Sequence, residues 1–127
     1  MNKSKLSNLP KTWLIDIDGT IFPHNNYLTD KKGKFEKPID NVVRFIKKIP
    51  KEDFIVLLSA RKKKYTHYTT KHLKKYGIRF NLLIMDLPSG ERILINDIKP
   101  SGLKTAYAIN IKRNIWPQKL KIWLHVA

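Results

Sequence analysis

Cysteine is missing from this chain, and with it go disulfides, thiolate nucleophiles and cysteine-bound zinc. The absence fits a reducing compartment, and a cytoplasmic protein is the expectation. Long apolar runs are missing too. No segment approaches the ~20 uninterrupted apolar residues that a membrane-spanning helix needs, so no membrane partner is expected. Residues 1–10 are polar and basic without the apolar run of a secretory signal, and they read as a flexible basic N-terminus. Acidic residues are scarce: 10 Asp and Glu stand against 26 Lys and Arg, a formal charge of +16. The excess points to an anionic partner, either nucleic acid or a small phosphorylated metabolite. Lysine far outnumbers arginine, the usual reader of phosphates and base edges, which favours the small metabolite.

What is present suits one folded domain over residues 1–127, with 42% hydrophobic residues arranged in blocks. Trp13-Leu14-Ile15-Asp16-Ile17 reads as a short strand ending in an acid, followed by a turn at Asp18-Gly19-Thr20. Residues 22–37 are polar, with Pro23, Asn25, Asn26 and Gly33, and read as a flap. Residues 38–49 place Val42, Val43, Phe45, Ile46 and Ile49 at helical spacing, with Pro38 suited to a first turn and Pro50 as a stop. Phe54-Ile55-Val56-Leu57-Leu58 is the continuous apolar run of a central parallel strand, closed by Ser59-Ala60-Arg61. A basic amphipathic helix over 62–76 follows, with Gly77 as its stop. Strands are expected at 81–85, at Arg92-Ile93-Leu94-Ile95 and at 106–111. The tail, 115–127, alternates Leu120, Ile122, Leu124 and Val126 with Lys121, Trp123 and His125. Period two makes it an edge strand or pairing surface rather than a helix.

Alternating strands and helices imply an α/β layered fold with a mostly parallel sheet, whose sites form beyond the carboxyl ends of the strands. Three predicted strand ends carry polar residues: Asp16 and Asp18, Ser59 and Arg61, Asn96 and Asp97. Their convergence on one rim is the central expectation. Two carboxylates at one strand end can divide labour, and Asp97 adds a third from another strand. Hard oxygen ligands of this kind suit Mg²⁺, and the absence of His and Cys from all three clusters argues against zinc or copper. Such an ion would offset the repulsion between a carboxylate nucleophile and a phosphate. Ser59 can donate a hydrogen bond to a phosphoryl oxygen, and a nearby cation can stabilise developing charge.

Asp16-Ile17-Asp18-Gly19-Thr20 resembles the first motif of the haloacid dehalogenase superfamily of phosphatases. Ser59 after an apolar strand resembles its second motif, and Ile93-Leu94-Ile95-Asn96-Asp97 its acidic fourth. The run Gly90 to Pro100 is most similar to small bacterial phosphatases of capsule and cell-surface carbohydrate synthesis, which act on phosphorylated sugars or polyols. The resemblance, over residues 12–111, implies a Rossmann-like three-layer sandwich without a large cap domain. It also implies a Mg²⁺-dependent phosphoric monoester hydrolase. A site without a large cap is open and can be covered by a second subunit, so a homo-oligomer is one expectation. Asp16 would be the nucleophile and Asp18 the acid and base. Mg²⁺ would be held by the Asp16 carboxylate, the Asp18 backbone carbonyl and Asp97, with Thr20 and Ser59 at the substrate phosphate. The family's usual lysine between its second and fourth motifs has no counterpart, since no lysine lies between Tyr76 and Asn96. Arg61 and Lys99 are the first substitutes, Arg92 and Lys62 the weaker ones.

Plainer readings compete. A lone strand-end Asp is more often a turn residue. Ser59 would also serve as a helix cap, Arg61 as half of an ordinary ion pair, and Tyr65, Tyr68 and Tyr76 as helix-face packing rather than base-stacking rings. A calcium loop is a poor match, because its twelfth position falls on Tyr27 and its glycine on position four. A nucleic-acid end phosphatase would use the same catalytic set, and a basic nucleic-acid-binding module with a vestigial site is the rival from outside the enzymes.

Overall fold

Trp13, Ile15 and Ile17 alternate with Thr12, Leu14 and Asp16, and this period of two builds the strand from which the site hangs. The computed structural model describes residues 4–28, 36–118, 120 and 122–123. The elements in order are β1 (Ser4–Lys5), β2 (Thr12–Asp16), α1 (Val42–Lys47), β3 (Phe54–Leu58), α2 (Thr66–Lys75), β4 (Leu82–Ile84) and β5 (Ile122–Trp123), with short 3-10 turns at Asn26–Leu28 and Lys63–Tyr65. Strands β2, β3 and β4 form one parallel sheet in that order. Trp13 lies opposite Ile55, Ile15 opposite Leu57 and Asp16 opposite Leu58. Leu83 in turn lies opposite Leu57.

The topology decides where the core sits. The strands advance in one direction across the sheet, so right-handed crossovers put both helices on the same face. The packing agrees. Ile15, Ile17, Ile55 and Leu57 share one buried cluster with Val42 and Ile46 of α1 and Leu73 of α2. The opposite face is more open: Leu14 is 51% exposed and Phe54 and Leu82 nearly as much, while Val56 of the central strand is buried between its neighbours. Among the described residues both helices lie on one side of the sheet. The start of β2 is fixed by a buried acid. The Asp53 carboxylate accepts hydrogen bonds from the Lys11 amide at 3.0 Å and from Trp13 Nε1 at 2.9 Å.

The expected strand at 92–95 does not form. Residues 88–102 are exposed, with Ile93 at 84% and Ile95 at 89%. The run begins with Arg92 bound to Asp16 at the carboxyl end of β2. In the parallel register that would set Asp97 beside Asp16, Arg92 would lie about 16 Å back along the strand. The Arg92 contact therefore excludes that register. Residues 106–111 are likewise not a strand; only the bridge between Ile98 and Lys104 is formed in this region. The tail does pair: β5 lies parallel to β1, Ser4 opposite Ile122 and Lys5 opposite Trp123. Of the expected flap, residues 29–35 lie outside the described residues, as do 1–3, 119, 121 and 124–127. No helix among the described residues is long and apolar enough to cross a membrane.

The one-sided core makes a prediction. Leu57→Ala is expected to lower the unfolding free energy by about 2–5 kcal/mol, and Leu14→Ala to leave it within about 0.5 kcal/mol. Urea titrations followed by circular dichroism measure both, and equal losses would contradict the assignment of faces.

Candidate active site

The loop after β2 hangs on a single carbonyl. Ile17 O accepts hydrogen bonds from the amides of Thr20, Ile21 and Phe22 at 3.2, 2.8 and 3.0 Å, while the Gly19 amide returns to Phe22 O at 2.7 Å. Burial of Ile17, Ile21 and Phe22 anchors this turn. Gly19 adopts φ +85°, and a Cβ there would meet Arg113 Cγ at 3.3 Å; glycine satisfies both constraints. The loop is clipped from outside by Asn114, whose amide donates to Gly19 O at 2.8 Å and whose Oδ1 accepts from the His24 amide at 2.8 Å. No sequence signal marks Asn114 for this role.

The turn points its two acids into different surroundings. Asp16 lies at the end of β2 with a third of its side chain exposed. One of its oxygens accepts the Thr20 hydroxyl at 3.2 Å, and the other pairs with Arg92 Nη1 at 2.7 Å. Asp18 faces inward. Arg61 Nε donates to its Oδ1 at 3.0 Å, Arg61 Nη2 approaches the same oxygen at 3.0 Å, and the Ser59 hydroxyl donates to Oδ2 at 3.1 Å.

Ser59 and Arg61 follow β3 and are both buried. The single Ser59 O–H is used on Asp18, and its oxygen accepts the Arg61 amide at 2.9 Å; the side chain thus braces Asp18. Arg61 is 1% exposed, so each of its five N–H groups needs a partner inside the protein. Nε and one Nη2 proton face Asp18. Nη1 and the second Nη2 proton take the two oxygens of Glu36 at 3.0 and 2.8 Å, and Nη1 also donates to Thr69 Oγ1 of α2 at 3.0 Å. The Tyr27 ring lies over the guanidinium, 4.1 Å from Cζ. Arg61 is therefore a buried tie between carboxylates, with no N–H left for a phosphate.

Glu36 is buried with its side chain fully out of solvent, and no motif singled it out. Burial pushes its carboxyl above the ordinary glutamate value, against the opposing hydrogen bonds and charge of Arg61. Burial and the neighbouring Asp18 likewise push the Tyr27 hydroxyl up. The remaining expected residues are elsewhere. Asp97 is exposed, with its backbone carbonyl accepting the Thr105 hydroxyl at 2.5 Å. Lys99 is exposed in a turn closed by bonds to Leu103 and Gly102. Lys62 pairs with Asp86 at 3.4 Å on the surface. Of the substitute cations considered for the missing lysine, Arg92 is the one bonded to Asp16. The helix tyrosines pack: Tyr65 against Tyr27, Tyr68 against His72 and Tyr76 against Phe22.

Among the described residues no three acids or histidines gather in a group able to hold a metal. What the site offers a divalent cation is one part-exposed carboxylate, Asp16, whose oxygens are bonded to Thr20 and Arg92; Mg²⁺ can be bound through a single carboxylate with waters and substrate oxygens in the other positions. No protein-family model matches the chain, and neither a curated protein nor a solved structure is significantly similar to it.

The two arginines should differ sharply. Arg61→Ala strands two inward-facing carboxylates and is expected to destabilise the fold by about 3–5 kcal/mol. Arg92→Ala breaks a part-exposed pair and is expected to change stability by less than about 1 kcal/mol. Chemical denaturation measures both; similar effects would contradict the burial assigned to Arg61.

A pH dependence follows from Glu36. Its raised carboxyl binds a proton more readily in the folded state, so its contribution to stability is full below the ordinary glutamate range and is lost as pH rises through the folded value. The wild-type protein should lose stability over that window more steeply than Glu36→Gln. Denaturation midpoints across the window measure this, and parallel curves would refute it.

Proposed function

We propose that the chain hydrolyses a phosphate monoester through an aspartyl-phosphate formed on Asp16. The single observation behind this reading is the contrast between two carboxylates on one turn. Asp16 has a third of its side chain exposed at the strand end, whereas Asp18 is nearly enclosed and held by Arg61 and Ser59. Nucleophilic and acid–base roles divide naturally along that line.

In the first step an Asp16 oxygen forms a bond to phosphorus as the ester P–O bond breaks. Asp18 gives its carboxyl proton to the departing oxygen, which leaves as an alcohol. In the second step water adds to phosphorus, one of its protons passes to the Asp18 carboxylate, and the bond from Asp16 to phosphorus breaks. Inorganic phosphate leaves, and both acids return to their starting state. Thr20 restrains the second Asp16 oxygen, which aligns the attacking one. Arg92 is the cation best placed to meet the equatorial phosphoryl oxygens. Mg²⁺ would be held by Asp16 and the Asp18 backbone carbonyl, with waters and substrate oxygens in the other positions, and would supply charge neutralisation for the transferring phosphoryl group; Asp97, a ligand in the set implied by the resemblance, is not grouped with Asp16 and Asp18. Lys99 belongs to this reading only through the same resemblance.

The substrate we propose is a small phosphorylated sugar or polyol of cell-surface carbohydrate synthesis. This rests on the likeness of residues 90–100 to capsule-synthesis phosphatases and on the net charge of +16. The exposed lysines of α2 favour a second reading, an end phosphatase acting on nucleic acid. Salt separates the two: hydrolysis of a 3′-phosphorylated oligonucleotide should fall steeply with salt where several phosphates are gripped, and hydrolysis of a small ester should not.

Phosphate release from sugar, polyol and nucleotide monoesters tests the proposal. We expect release with Mg²⁺, loss of it on chelation, and loss of at least about a hundredfold in Asp16→Asn, with circular dichroism unchanged because Asp16 is part-exposed. Turnover surviving in that variant would eliminate Asp16 as nucleophile.

A further inference from the structure

Among the described residues two buried carboxylates, Glu36 and Asp53, have no part in the reaction above, and of these Glu36 is the one bonded to Arg61. We infer that Glu36 is a positioning residue: it locks the Arg61 guanidinium by a two-pronged ion pair, and Arg61 in turn fixes the Asp18 carboxylate where the leaving oxygen must receive its proton. The inference rests on the aspartyl-phosphate reading and adds a residue that neither motif spacing nor charge pattern picks out.

The geometry is specific. Glu36 Oε1 and Oε2 accept from Nη2 and Nη1 at 2.8 and 3.0 Å, the parallel arrangement that fits a planar guanidinium. Thr69 from α2 takes the other Nη1 proton at 3.0 Å. Tyr27 covers one ring face at 4.1 Å, with Phe22 further off at 5.7 Å. Held at this outer edge, the guanidinium has one orientation left, with Nε and the inner Nη2 proton on Asp18. Without Glu36, two N–H groups would lose their acceptors inside the protein, and the guanidinium, left with Thr69 and Asp18 as acceptors, would no longer be fixed in its present orientation. Ser59 alone would then restrain the acid through a single 3.1 Å bond. Glu36 touches neither Asp16 nor the space a phosphate would occupy, so its influence must pass through Arg61.

A leaving-group comparison tests this. Protonation of the departing oxygen is essential for an alkyl ester, whose alkoxide is a poor leaving group, and nearly dispensable for p-nitrophenyl phosphate. The quantity kcat/KM covers the steps up to transfer onto Asp16, so it isolates this proton. For Glu36→Gln we expect kcat/KM on glycerol phosphate to fall about tenfold or more, and on p-nitrophenyl phosphate by less than about threefold. Glu36→Asp, which keeps the charge but shortens the reach, should recover part of the alkyl-ester loss. If Glu36→Gln does not fold by circular dichroism, Arg61→Lys is the second variant, since it keeps the charge and loses the fork; the same selective loss is expected. Equal losses on both esters, or none, would overturn the positioning role. Wild-type protein that cleaves neither ester would instead overturn the phosphatase reading itself, and the role of Glu36 with it.

Discussion

A guanidinium cut off from water must find every hydrogen-bond acceptor inside the protein, and much of this structure around the site follows from meeting that demand at Arg61. Four stretches of chain contribute: the turn after β2 through Asp18, the approach to α1 through Glu36, the end of β3 through Ser59 and Arg61 itself, and α2 through Thr69. In a chain with a net charge of +16, two carboxylates are gathered around one cation. Removing any partner leaves a buried polar group unmatched, which costs more than the pair is worth in isolation. The same tie that holds the fold here also sets the direction of Asp18, next to the end of β2.

The second constraint is the direction of the sheet. Because β2, β3 and β4 advance one way, both helices cover the same face, and the polar strand ends that meet are those of β2 and β3. Asp16 thus stands at the edge of the sheet, on a strand with a neighbour on one side only. That edge position explains its exposure and its access to Arg92. Leu14, on the face away from the helices, and Ile93, Leu94, Ile95 and Ile98 are left as apolar surface in contact with water.

Much of this was readable in the residues, for physical reasons that differ by element. The period of two in 13–17 and the solid apolar run at 54–58 identify β2 and β3, since burial on one or both faces imposes those patterns. Helical spacing in 38–49 and 62–76 locates α1 and α2, though each helix is shorter than its periodic stretch: α1 begins only at Val42, and the start of the second stretch is taken by the Lys63–Tyr65 turn. The run at 92–95 has the same apolar signature as β3, yet it stays unpaired. Local pattern measures the tendency to be buried, whereas pairing depends on contacts between residues distant in sequence, and the Arg92–Asp16 contact is incompatible with the expected register. Asp16, Asp18, Ser59 and Thr20 were legible because turn chemistry keeps them near strand ends. Glu36 and Asn114 were not, because each acts through a long-range hydrogen bond that leaves no local trace. Arg61 was picked out, as a substitute cation or as half of an ordinary surface ion pair; only its burial reveals it as a tie between two carboxylates.

The central claim is that a phosphoryl group is transferred to the Asp16 carboxylate. Mass spectrometry of protein acid-quenched within its first turnover on p-nitrophenyl phosphate reads this directly. The account predicts a phosphoryl adduct on the peptide containing Asp16, and a larger fraction of it in Asp18→Asn, where the water that clears the intermediate lacks its base. An adduct on a serine, threonine or histidine, or phosphate release with Asp16 unmodified at every quench time in both proteins, would contradict it.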